Sequence, residues 1–179
     1  MEEILNKIGE RFAISAVSRA RENLFFCNVE AGHLRSVLLH LRDIELFGHL
    51  VLITAVDRIE ANRFQLTYLL HSYQTHHDIG IRVMIDRDRA SMESVHDLWN
   101  TAATYQRELK EMFGIDFPNS PRVNESFILE GWHEIPPYRR DFDTRKYSEE
   151  TFFPRPGRET HDPAEYMKQQ LYAEEDQTC

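Results

Sequence analysis

The chain carries seven prolines, and all of them fall in its last third, at positions 118, 121, 136, 137, 154, 156 and 163. Proline locks φ at about −65° and has no amide hydrogen to donate, so a segment in which it recurs is a poor helix interior and a poor central strand. Residues 1–117 escape that restriction. They read as a packed domain, and residues 118–179 as an extended, proline-rich arm. The arm is not a plain linker, because it holds nine of the chain's twenty aromatic residues, Phe127, Trp132, Tyr138 and Phe142 among them. Disordered segments are poor in aromatics. A proline-broken stretch cannot pack so many rings around one another. It must bury them on its own domain, on another protein, or on both, which describes a partner-docking strap.

Within residues 1–117 the apolar spacing alternates between two periods. Residues 3–9 form a short amphipathic helix. Two strands follow at Phe12–Ser18 and Leu24–Val29, joined by the polar RAREN stretch. Leu34, Val37, Leu38, Leu41 and Ile44 recur at helical spacing, with Gly48 as the stop. Strands near 50–57 and 63–73 predict a hairpin around EAN, and IGIRVMID adds another strand. A long helix is expected from Ser91 or Ser94, where Ser94 and Asp97 fit a capping box. It keeps helical period through Val95, Leu98, Trp99, Ala102, Leu109, Met112 and Phe113 until Gly114 and Pro118 end it. Strands close in sequence with short connections favour a mostly antiparallel sheet with helices packed on it, an α+β fold.

The net charge of −9 lacks the basic footprint that displaces counterions from phosphates, so no nucleic acid is expected as a partner. The two cysteines, Cys27 and Cys179, match no disulfide, zinc or iron–sulfur spacing. The acidic start MEEILNKIGERF has no apolar core, so no leader is expected. No apolar run approaches the roughly 20 residues that span a bilayer, so any membrane association should be indirect.

Motifs for chemistry are sparse: there is no P-loop, no GxGxxG and no Ser-centred nucleophile elbow. The HSYQTHHD stretch collects His71, His76, His77 and Asp78, which are competent metal ligands. A free-standing metal-dependent enzyme is one reading, and a solvated hairpin end the simpler one. Glu108 and Glu111, one turn apart, could serve acid–base chemistry, but ion pairing with Arg107 or Lys110 explains them more economically. In PPYRRDFDTRK, Arg139 and Arg140 could hold a phosphate or a lipid headgroup. The adjacent Asp141 and Asp143 favour pairing across a protein interface, to which arginine's planar fork is suited.

Two linked motifs carry a resemblance. In SVHDLWNTAATYQRELKEMFGIDF the pattern residues are Gln106, Arg107, Glu108, Glu111, Met112, Phe113, Gly114, Ile115 and Phe117; in EGWHEIPPYRRDFD they are Trp132, Pro136, Arg139, Arg140, Asp141 and Phe142. Together they resemble the 30 kDa subunit of respiratory complex I (NADH:quinone oxidoreductase), a family with versions in membrane-bound [NiFe] hydrogenases and similar complexes. Ser120 stands where the family has histidine, Asn124 and Glu125 where it has a basic pair, and Gln106 where it has glutamate. The tail is closer to the non-NADH relatives. The resemblance implies a non-catalytic structural subunit with no cofactor of its own, on the cytoplasmic side of the cell membrane. Its expected partners are a large catalytic subunit of the 49 kDa or hydrogenase-large type and neighbouring subunits that carry iron–sulfur clusters. Arg107, Glu108, Phe113, Gly114, Phe117, Trp132, Pro136, Arg139, Arg140, Asp141 and Phe142 are the candidate docking residues.

Overall fold

The computed structural model describes residues 2–151. Two compact units are present, Met1–Phe142 and Asp143–Cys179. The expected division at Phe117 is therefore not where the contacts part, since residues 118–142 stay with the first unit. Aromatics of the arm beyond residue 151 lie outside the described residues.

The first unit contains α1 (Glu2–Arg11), β1 (Ser15–Arg21), β2 (Leu24–Asn28), α2 (Leu34–Asp43), β3 (His49–Arg58), β4 (Arg63–Ser72), β5 (His77–Asp86) and α3 (Ala102–Phe113). That is the order of elements expected from the two periodicities. The sheet order is β1-β2-β5-β4-β3. The neighbours β1–β2, β3–β4 and β4–β5 are antiparallel, but β2 and β5 run parallel, with Phe26 opposite Gly80. The sheet is thus mostly antiparallel, as expected, with one parallel contact that makes it mixed. The cause is α2: it carries the chain from β2 to the far edge, and the β3-β4-β5 meander then returns to lay β5 beside β2.

One face of the sheet is the core. Phe64, Leu66, Tyr68 and Leu70 of β4 alternate inward and are fully buried with Ile53, Ile81 and Val83 against Leu34, Leu38, Leu41, Leu109 and Met112 of the helices. Tyr68 places a hydroxyl in this core without a hydrogen-bond partner. A buried, unpaired polar group opposes folding. Tyr68→Phe is therefore expected to raise the unfolding free energy by about 1 kcal/mol, read from urea denaturation.

On the other face the Phe26 ring covers Gly80. A Cβ built on Gly80 would stand 2.3 Å from Phe26 Cδ1, and the Arg82 guanidinium closes over the ring at 4.0 Å. For an alanine to fit, the Phe26 ring and the Arg82 guanidinium over it must both shift. Gly80→Ala is expected to destabilise by about 1–3 kcal/mol, outweighing the better intrinsic propensity of alanine, and the same denaturation assay checks it.

The expected long helix from Ser91 or Ser94 is only half helical. α3 begins at Ala102, and the preceding stretch is irregular because α2 holds it. Arg35 forks the Asp97 carboxylate and donates to Ser94 O at 3.1 Å, and Arg42 donates to Leu98 O at 3.1 Å. With Asp97 taken by Arg35, no capping box forms. Ser94 Oγ bonds the buried Gln106 side chain at 2.7 Å instead. At the end of α2 the left-handed residue is Leu46 (φ 62), not Gly48.

The second unit contributes α4 (Thr144–Thr151), so the arm is not wholly extended. Asp143 starts this helix, its carboxylate accepting the Lys146 N–H at 3.0 Å.

Candidate functional site: a clasp around the end of α3

Gly114 ends α3 in the left-handed conformation (φ 76), and its N–H donates to Lys110 O at 2.9 Å. Glycine is needed here both for φ and for space, because an added Cβ would press Pro136 Cγ at 3.3 Å. The chain then runs Ile115–Phe117 into the core, with Phe117 fully buried. Backbone bonds tie Asp116 to Ala90 and Met92.

Residues 118–142 next fold back over α3. Glu111 directs its carboxylate at three successive amides: Oε1 accepts from Phe127 at 2.7 Å, and Oε2 from Ile128 and Leu129 at 2.8 and 3.1 Å. Lys110 bridges Asp116 and Asn124 at 2.5 and 2.6 Å. Farther on, the Tyr138 amide donates to Met112 O at 2.9 Å. Its ring meets Phe113 edge-on, and Phe113 in turn meets Phe64.

The segment closes on a charge lattice. Asp57, at 4 % exposure, receives a two-pronged bond from Arg87 at 2.9 and 3.0 Å and the Arg140 amide at 2.9 Å. Arg87 also reaches Asp141 at 2.8 Å, which Arg139 forks from the other side. The Arg140 side chain pairs with Glu60 at 2.5 Å. Burial alone would raise the Asp57 pKa, but the Arg87 fork and the Arg140 amide outweigh it and hold the carboxyl below the usual range. For Asp141 the Arg139 fork is the leading cause, and it sits far below that range. Both residues are carboxylates at every physiological pH.

Six of the eleven residues expected to dock therefore converge here: Phe113, Gly114, Pro136, Arg139, Arg140 and Asp141. Trp132 and Phe142 stack edge-on nearby, 5.6 Å apart. Phe117 is a core residue. Arg107 stands apart, its guanidinium 5.3 Å over the Phe127 ring. Glu108 is half-buried on the same helix and does not join the clasp. The arginine pair expected to meet foreign carboxylates meets Asp57, Glu60 and Asp141 of its own chain.

Asp57, Arg87 and the amide-holding role of Glu111 were not foreseen. A signal existed for two of them. Asp57 continues the inward phase of Ile53 and Ala55, and Arg87 that of Val83 and Ile85. A charge on an inward phase needs a partner.

The histidine cluster is used locally. His71 Nδ1 and Asp78 Oδ1 are 2.8 Å apart across the β4–β5 ladder, and His77 Nδ1 bonds Thr75 O at 2.7 Å. Among the described residues no three His, Cys, Asp or Glu side chains are placed to hold a metal ion. Nor is any helix among them long and apolar enough to cross a membrane.

The clasp, α2, α3 and the β3-β4-β5 meander fall inside residues 27–148, which match the family profile described as the 30 kDa subunit of respiratory-chain NADH dehydrogenase. The chain belongs to this family. Among curated relatives, an NADH-quinone oxidoreductase subunit of Citrifermentans bemidjiense is 30% identical over 138 residues, covering 76% of this chain and 85% of the relative. A longer NADH-quinone oxidoreductase subunit, from Acinetobacter baumannii, is 27% identical over 154 residues, 81% of this chain, but the chain spans only 25% of that relative's length. Among solved structures, a chain of the membrane-bound sulfane sulfur reductase, an archaeal respiratory membrane complex, aligns with TM-score 0.74 and 26% identity over 84% of this chain and 90% of its own. The trypsin-resistant fragment of Nqo5 aligns with TM-score 0.60 and 20% identity, over 67% and 96% respectively, a likeness of fold. The 30 kDa family assignment rests on the part of the chain that holds the clasp; α1 and β1 precede the matched residues.

Proposed function

We propose that this chain is a non-catalytic structural subunit in the cytoplasmic peripheral arm of a complex I-related, membrane-bound oxidoreductase. It docks on the large catalytic subunit, of the 49 kDa or hydrogenase-large type, next to subunits that carry the iron–sulfur clusters. The observation that carries this reading is the family match over residues 27–148. The near-complete alignment with one chain of a respiratory membrane complex supports it. The clasp fits the same role. Its charged side chains are consumed in holding residues 118–142 to the domain, which leaves Ile128, Ile135 and Tyr138 exposed on that segment. Exposed apolar side chains on a segment pinned this firmly are suited to a protein partner.

Affinity purification through a tag on this chain, from detergent-solubilised membranes, tests the proposal. A large catalytic subunit and iron–sulfur subunits should co-elute in fixed ratio. The Ile128→Asp/Ile135→Asp variant should fold normally yet elute without them. Recovery of the wild-type chain alone, or unchanged co-elution of the variant, would overturn it.

A further inference from the structure

One cation on the open face of the sheet is half-buried without a counter-charge. Six arginines among the described residues are buried or half-buried. Arg35, Arg42, Arg87 and Arg139 each pair with a carboxylate. Arg107 has Glu125 nearby: Arg122, and more weakly Arg107, hold that carboxyl below its usual range. Arg82 has no carboxylate in salt-bridge reach among the described residues, and its Nε is buried without a hydrogen-bond partner. Its guanidinium lies 4.0 Å over the Phe26 ring, which itself lies on Gly80. Taking a cation partly out of water costs free energy unless a carboxylate or further hydrogen bonds offset it. A methionine would cover Phe26 without that cost. The platform therefore holds a guanidinium in place and leaves its hydrogen-bonding fork unused.

The register sets what surrounds it. Ser15 pairs with Asn28, Asn28 with Arg82, Arg82 with Thr67 and Thr67 with Thr54. One row of hydrogen-bonding side chains thus crosses all five strands, with Arg82 at its centre. The next row on the same face exposes Val56 and Met84, at 42% and 36%. Arginine and methionine are enriched at protein interfaces. The two outward carboxylates of the strands are engaged elsewhere. Asp78 bonds His71 at 2.8 Å. Asp86 accepts the amides of Asp88 and Arg89 at 2.8 and 3.0 Å and stands opposite Arg63. Each lies four residues from Arg82 along β5, about 13 Å at the rise of a strand, where solvent and salt screen it. The missing counter-charge must come from outside. A two-fold second copy would present this same face, whose carboxylates are already taken. A phosphate monoester, at close to two charges, would be half compensated by one guanidinium between neutral neighbours. An anionic membrane would meet the rest of a chain of net charge −9. A carboxylate matches a guanidinium in charge and in its two-pronged geometry.

We infer that Arg82 is the receptor for an aspartate or glutamate of a neighbouring protein subunit, which lies on the open face of the sheet with Asn28 and Thr67 to either side. The inference rests on the reading of the chain as a subunit, but it concerns the open face of the sheet and not the clasp that carries Ile128 and Ile135.

The test is zero-length cross-linking of the tagged, purified complex that carries Arg82→Lys. Carbodiimide joins an amine to a carboxylate only where the two touch, so peptide mapping should find residue 82 linked to an aspartate or glutamate of another subunit. Arg82→Met should leave the isolated chain folded by circular dichroism, because its side chain still covers Phe26. It should nevertheless dissociate from the complex at least ten-fold faster, the loss expected for hydrogen bonds between charged groups. Should Arg82→Met fail to fold, the link at residue 82 decides alone. No link at residue 82, or unchanged dissociation of Arg82→Met, while the other subunits co-elute with the wild-type chain would overturn the receptor and leave the subunit reading standing. A link to a second copy of this chain would overturn it too. Elution of the wild-type chain alone would bring down both.

Discussion

Arg87→Met lowers the unfolding free energy by about 3–5 kcal/mol, the cost expected when one partner of a buried ion pair is removed and the other charge is stranded. The stranded group is Asp57, whose side chain is 1% exposed. It keeps only the Arg140 amide. Urea denaturation followed by circular dichroism measures the loss. Most of the cost is the uncompensated carboxylate, so Asp57→Asn added to Arg87→Met should recover about 1–2 kcal/mol. Asparagine still accepts the Arg140 amide but carries no charge to desolvate. If the double variant were less stable than Arg87→Met alone, the account of the lattice as a charge-compensated pair would fail.

The pH dependence gives the same experiment a second sign. Asp57 and Asp141 have folded-state pKa values below their unfolded ones. Their contribution is present above the unfolded carboxyl pKa of about 4 and is lost as pH falls below it. The wild-type chain should lose this stability between about pH 4 and pH 2. In Arg87→Met, burial has no opposing arginine, so the Asp57 pKa rises above its unfolded value. That variant should instead gain stability as pH falls from 7 towards 5, because protonation relieves the stranded charge. Denaturation midpoints at pH 7, 6 and 5 separate the two slopes.

How much of this was legible in the sequence depends on how local the cause is. Element order was legible because each strand and helix writes its own period. Phe64, Leu66, Tyr68 and Leu70 announce β4 without reference to anything else. The parallel β2–β5 contact was not, because it depends on how far α2 carries the chain before β3 begins. The irregular start of α3 was hidden for a similar reason. Val95, Leu98 and Trp99 hold helical spacing, but Arg35 and Arg42, about 60 residues earlier in the sequence, take the carboxylate and carbonyls of that stretch. The site shows the same limit. Gly114 was legible as a stop because its neighbours are its cause, whereas Arg140 looked available to a partner because Asp57 and Glu60 lie about 80 residues upstream; Arg139 is held by Asp141, two residues on. The inward phases of Asp57 and Arg87 were the local traces of that distant lattice.

Glu111→Ala should open the loop over α3 while leaving α3 in place. The helix is held by Leu109, Met112 and Phe113 in the core, so the variant removes only what the carboxylate does, which is to accept the amides of Phe127, Ile128 and Leu129. Hydrogen bonds to a charged acceptor are the stronger kind, and three of them on adjacent residues fix the loop as a unit. Their loss is expected to cost about 3 kcal/mol, which for a local opening corresponds to exchange about 100-fold faster at those three amides. Amides of β4 should exchange at a rate set only by the drop in global stability. Glu111→Gln keeps one acceptor oxygen and should fall between wild type and alanine. The Phe127 ring under Arg107 would lose its anchor in the alanine variant, so protection along 127–129 should fail together and not residue by residue. Unchanged exchange at all three amides would mean that the clasp is held by the Asp57–Arg87–Asp141 lattice alone.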